Sequence, residues 1–137
     1  MIPPQTDWTA VLESPFLHEV FQYDVMEESQ QFEQCFAMLN AEQSYAFHAI
    51  FNATIAHQGK VFFLEGAAGA GKTFVYKTLC HAIHSHTLPV LCVASSRIAA
   101  LLLLNGRTAH SSLKIPIHLL NNSMCCITKN CALAQLL

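Results

Sequence analysis

The sequence predicts a mixed α/β domain built on a parallel sheet, and three observations predict it. Two short β-prone apolar runs, Val61–Leu64 and Val90–Val93, alternate with helical patterns that begin at Lys72 and near Ile98. A run of glycine and alanine joins the first β-prone run to the first of those helices. The chain has 137 residues, enough for one hydrophobic core and too few for two ordinary ones. Strand, helix, strand, helix in that order calls for right-handed crossovers between parallel strands.

Residues 1–38 are acidic, broken early by Pro3 and Pro4 and weakly periodic, and they read as a partly helical lead-in to a domain over 39–137. Asn40 can cap a helix whose third position is Gln43, with Glu42 in the first turn where negative charge is favoured. Phe47, Ile50, Phe51 and Thr54 then follow at helical spacing, and Gly59 stops the helix. The helix opened by Lys72 carries Val75, Leu79, Ala82 and Ile83 on one stripe and ends before Pro89. Ser95-Ser96 stands where an N-cap belongs ahead of Ile98–Leu104, and Asn105-Gly106 ends that helix.

Composition narrows the class. Hydrophobic residues make up 53% and charged residues 12%, against roughly a quarter charged in an ordinary soluble domain, which excludes a disordered chain. The longest apolar run, Ile98–Leu104, falls well short of the roughly 18 residues of a membrane span. No basic and apolar leader opens the chain, so a cytosolic or nuclear protein is expected, with no membrane partner. Residues 1–59 carry eight acids and no Lys or Arg, whereas 60–137 carry all seven Lys and Arg and one acid, Glu65. A basic half suits polyanions such as nucleotide phosphates or nucleic acid; chance clustering on solvated faces is the plain alternative. The six cysteines form no C-x-x-C pair and read as reduced thiols, with Cys80 and Cys92 in the core. His81, His84 and His86 are expected in the last turn of their helix, facing the negative end of its dipole, rather than on zinc.

Gly66-Ala67-Ala68-Gly69-Ala70-Gly71-Lys72-Thr73 fits G-x-x-x-x-G-K-[ST] in full, after a predicted strand and before a predicted helix. Small residues let successive backbone N–H groups turn inward as an anion nest, and the following helix points its positive end there. Lys72 is expected on the β- and γ-phosphates as the catalytic cation, and the Thr73 hydroxyl on Mg²⁺, with ATP as the nucleotide. The motif identifies the ligand class; the neighbouring residues must identify the reaction.

Leu39–Gln43, Val61–Thr73, Ala94–Leu102, Gly106–Ser111 and Lys114–Ile117, in that order, resemble the amino-terminal half of the motor core of PIF-type DNA helicases. These are superfamily 1 enzymes moving 5′ to 3′, the helicase portion of Helitron transposons among them. The resemblance covers about residues 36–137 and implies a RecA-like P-loop NTPase domain, incomplete here. It implies a hydrolase acting on ATP with Mg²⁺, single-stranded DNA as partner, a role in DNA repair and recombination, and a nuclear location. Carried over by position, Gln43 would read the adenine edge, although the capping box with Asn40 needs only local geometry. Ser95, Ser96 and the following helix start match a motif contacting single-stranded DNA, and His110 lies in a segment near the DNA path; an ordinary N-cap and a packed histidine are the plain alternatives. Arg97 departs from the family's usual glycine, which either adds a phosphate contact or obstructs the strand. Ala67, Ala68 and Ala70 replace the usual Pro-Gly and Thr or Ser, and Ser112 and Leu113 the usual Arg and Phe.

Hydrolysis needs a carboxylate for Mg²⁺, a group to orient water and a cation for the transition state. No Asp or Glu follows Glu65, and the last residues, Ala132–Leu137, resemble the helix ahead of the family's acidic strand. The expectation is therefore ATP binding without helicase-rate hydrolysis in this chain. Two other readings stand beside it: a non-enzymatic nucleotide- or DNA-binding remnant of a transposon helicase, and a small-molecule P-loop kinase. The kinase would need an arginine-rich lid and an acid near the acceptor, and neither follows Thr73. Oligomeric state is left open.

Overall fold

Asp24 starts the first helix by accepting the Met26 backbone N–H on its side chain at 2.9 Å, with Glu27 and Glu28 in the first turn. The computed structural model describes residues 22–118, 120–128 and 134. Helix α1 spans Val25–Ala37. Helix α2, Ala41–Ile55, opens on the expected capping box: Asn40 Oδ1 accepts the Gln43 N–H at 2.9 Å, and Gln43 Oε1 accepts the Asn40 N–H at 3.1 Å. Helix α3 spans Lys72–Ser85, and both other helices pack on it.

The core lies where the three helices meet. Phe47 on α2 is 1% exposed and packs with Val75, Leu79 and Ala82 of α3. Phe32 and Phe36 of α1 and Phe51 of α2 surround its ring with centroids 5.3–5.7 Å away. Burying a side chain of this size contributes about 1.5–3 kcal/mol. The expected stripe on α3 is present, with Ile83 half-buried at its margin.

A second polar centre ties α1 to α3. His81 Nδ1 donates to Glu28 Oε2 at 2.7 Å, and His84 Nδ1 lies 3.5 Å from the same oxygen. All three residues are buried, and the Tyr23 ring stacks on His84 at 3.6 Å. The expected terminal role holds for His86, whose Nδ1 donates to the Ala82 carbonyl at 2.9 Å. His81 and His84 instead turn inward to a carboxylate, because α1 docks along their face of the helix.

The sheet departs from expectation. Among the described residues it has two strands, β1 (Val93–Ala94) and β2 (Arg107–Thr108), paired in parallel with Val93 opposite Arg107 and Ala94 opposite Thr108. The Arg107 N–H also donates to the Cys92 carbonyl at 3.1 Å, so the ladder catches only the end of the Val90–Val93 run. Val61–Leu64 is not a strand: Val61 is 98% and Phe63 90% exposed, and Leu64 alone reaches the core cluster. A parallel strand exists through ladder bonds and covering on both faces, and no described strand lies beside this run. The fold shown is a mixed α/β domain with a small parallel sheet, not a resolved RecA-like sheet.

The helix expected over Ile98–Leu104 is also shorter. Helix α4 spans Arg97–Ala100, and the chain then tightens into i→i−3 turns, with Leu102 N–H on the Ala99 carbonyl and Leu103 N–H on the Ala100 carbonyl. Asn105 at φ +47° and Gly106 turn it back toward β2. Gly106 lies so close to the Ala100 carbonyl that a Cβ there would collide with it. A short α5, Ala109–Ser112, follows β2, capped by the Thr108 hydroxyl. The expected terminal helix over Ala132–Leu137 lies outside the described residues apart from Ala134, as do Asp7, Cys131 and the first 21 residues of the lead-in. No helix among the described residues is long and apolar enough to cross a membrane.

Candidate phosphate-binding site

The site is built on the start of α3. Its N-cap is Gly71, at φ +78° in the left-handed region, and no side chain caps it. Helices α1 and α2 each have a side-chain cap and acids in the first turn; α3 has neither. The N–H groups of its first turn therefore keep their partial positive charge without a protein anion to meet it.

Lys72 adds a full charge at the same place. Its Nζ donates to the carbonyls of Gly66 at 2.6 Å and Ala67 at 2.8 Å, so the side chain lies back against the loop it follows. Ala70 N–H donates to the Ala67 carbonyl at 3.2 Å and folds the loop's middle into a turn. Thr73 is exposed in the first turn of α3. Gly66, Ala67, Ala68, Gly69 and Ala70 are exposed and keep the loop surface free of bulk.

Gln43 joins the loop from α2. Its Nε2 donates to the Ala70 carbonyl at 3.0 Å while its Oε1 serves the capping box. A Cβ on Gly71 would collide with Gln43 Nε2, so the glycine is needed both for its backbone angle and for this close approach. Of the two readings of Gln43 in the sequence, the helix cap is made, and the other end of the amide is bonded to the loop carbonyl of Ala70.

Ser95, Ser96 and Arg97 follow β1, and His110 follows β2. The parallel register of Ala94 with Thr108 puts these groups beyond the same, carboxyl end of the strand pair. Ser96 caps α4, its Oγ accepting the Ala99 N–H at 3.2 Å; Ser95, Arg97 and His110 are exposed. His110 is therefore not a packed histidine.

A PIF1-like helicase family model matches residues 38–137. The chain belongs to the PIF1-like helicase family. A segment of 57 residues is 42% identical to "ATP-dependent DNA helicase Pif1" from Psychrobacter sp. (strain PRwf-1), covering 42% of this chain and 8% of that protein's length. The family assignment takes in every site residue described above, since the earliest of them is Gln43.

For the phosphates of ATP, the chemistry present is compatible: the N-terminus of α3 has no side-chain cap, and the Lys72 ammonium lies against the loop before it. For the metal, the motif supplies the Thr73 hydroxyl, and no carboxylate follows Glu65 in the sequence. No group of three or more His, Cys, Asp or Glu among the described residues is arranged to hold a metal ion. What the sequence reading missed is the anchoring of the loop by Gln43 and the Glu28–His81 pair beneath the same helix. The cap of α1 left a legible trace, Asp24 followed three residues later by Glu27; the pairings across 27 and 53 residues left none.

Proposed function

We propose that this chain is the nucleotide-gripping part of a RecA-like, ATP-dependent DNA helicase motor of the PIF type, akin to the Helitron branch. Gly66–Gly71 and the first turn of α3 would hold the phosphates, Lys72 the terminal ones, and Thr73 the Mg²⁺; Gln43 would read the adenine edge. Ser95, Ser96, Arg97 and His110 would meet single-stranded DNA, with α4's N-terminus beside a backbone phosphate. The observation that carries this reading is the start of α3: uncapped, acid-free, and joined by Lys72 and Gln43 on one loop.

When bound, Mg²⁺ neutralises charge on the phosphates, and hydrolysis further needs a carboxylate to hold it. Among the described acids, Asp24 caps α1, Glu27 and Glu33 lie on α1, Glu28 is committed to His81, Glu42 sits in the first turn of α2, and the exposed Glu65 immediately precedes the loop. The reading for these 137 residues is therefore nucleotide binding, with the non-enzymatic nucleotide-binding reading beside it. Titrations with ATP and GTP in Mg²⁺, on the wild-type chain and Gln43→Ala, test the adenine assignment. The expected result is a preference for ATP that shrinks in Gln43→Ala. Equal loss of both nucleotides would leave Gln43 as a loop anchor and remove its role as a base reader.

A further inference from the structure

Cys80 and Cys92 meet outside the nucleotide site. Their sulfurs lie 3.3 Å apart, one on α3 and one on the residue immediately before β1. Both are free thiols. They line an open apolar groove of about 390 Å³ together with Tyr76, Leu79, Ile83 and Leu103, so a small oxidant has a route to them. A disulfide bond is about 2.05 Å long, and among the described residues the two sulfurs belong to no group of three or more His, Cys, Asp or Glu that could hold a metal ion. We propose that Cys80 and Cys92 are an oxidation site that a hydroperoxide converts to an intramolecular disulfide, fastening the helix that begins at Lys72 to the strand that ends at Ala94.

The two thiols have different roles. Cys80 is buried, and its hydrogen bond to Cys92, with burial second, pushes its thiol well above the ordinary range. The same hydrogen bond lowers Cys92, against the opposing effect of its partial burial. Cys92 is also the more exposed of the two sulfur-bearing residues, half-buried where Cys80 is buried, and is therefore the first nucleophile. Its thiolate attacks one peroxide oxygen, the O–O bond breaks, and the departing hydroxide takes a proton to become water, leaving a sulfenic acid on Cys92. Cys80 then gives up its proton, its sulfur attacks Cys92 Sγ, and the S–O bond breaks to release a second water. The two thiols lose two electrons, which reduce one hydrogen peroxide to two waters. In a reducing compartment such a pair opens again and acts as a transient sensor rather than a permanent staple.

The test is intact-mass and peptide mapping of the full chain after mild hydrogen peroxide. The expected result is loss of two hydrogens, a linked peptide joining Cys80 to Cys92, and full reversal by dithiothreitol. In Cys80→Ser the link is lost and Cys92 is trapped by a sulfenic-acid reagent; in Cys35→Ser the link forms as in wild type. Wild-type chains whose Cys92 is oxidised without linkage to Cys80, or whose Cys80 and Cys92 both remain alkylatable while other cysteines react, would overturn the proposal.

Discussion

The side-chain amide of Gln43 donates to the Ala70 carbonyl at 3.0 Å, so one residue both closes the cap of α2 and fastens the loop ahead of α3. The start of α2 and the glycine-rich loop are thereby tied together. A change at either end of this bond is felt at the other.

Gln43→Glu and Gln43→Ala separate the two duties. Glutamate keeps an acceptor for the Asn40 N–H but, ionised, has nothing to donate to Ala70. It is expected to leave stability within about 0.5 kcal/mol of wild type while speeding hydrogen exchange of the loop amides. Alanine loses the cap as well, at a further cost of about 1 kcal/mol. Gly71→Ala should cost about 1–2 kcal/mol for its left-handed backbone and displace Gln43, so it should be non-additive with Gln43→Ala. Chemical denaturation of the singles and the double checks this, and strict additivity would contradict the coupling.

The His84 ring predicts a pH dependence of stability. Burial is the larger influence and lowers its pKa below the ordinary value of about 6.5, with the Glu28 carboxylate at 3.5 Å pulling the other way. The folded ring then binds fewer protons than the unfolded one, so protonation favours unfolding. This contribution is complete above about pH 6.5 and is lost as pH falls through the folded pKa. The thermal midpoint should drop between about pH 7 and pH 5, and His84→Phe, which can keep the stack on Tyr23, should flatten that slope. An identical slope in the variant would contradict the assignment.

Arg97 gives the DNA reading a test with two directions. As a phosphate contact beside the N-terminus of α4, its replacement by glutamate should weaken binding of a fluorescent single strand and reduce the salt slope by about one. If the side chain obstructs the strand instead, Arg97→Gly should bind more tightly than wild type. Anisotropy titrations at several salt concentrations separate the two, and tighter binding by the glycine variant would refute the contact.

What was legible in the sequence was local. Asn40 with Gln43 and Ser96 before α4 are caps whose partners lie within three residues, and each forms as read, as does the helix start at Lys72. The strand at Val61–Leu64 depended on partners elsewhere in the chain, which apolar content alone does not supply. The end of α4 at Ala100 turned on a close approach at Gly106, and the burial of His81 and His84 on a carboxylate 53 residues from His81. In the candidate site, motif spacing marked the loop ahead of α3, but the bond that steadies the loop crosses 27 residues and follows from packing of α2 against α3.

The central claim is that the loop and the first turn of α3 grip the phosphates of ATP. Calorimetric titration of ATP with Mg²⁺ into the wild-type chain and Lys72→Ala, with matched circular dichroism, tests it most directly. The account predicts saturable binding that weakens roughly tenfold or more in the variant, a loss of about 1.4 kcal/mol or greater. Equal affinity in the two proteins, or no binding by the wild-type chain, would contradict it.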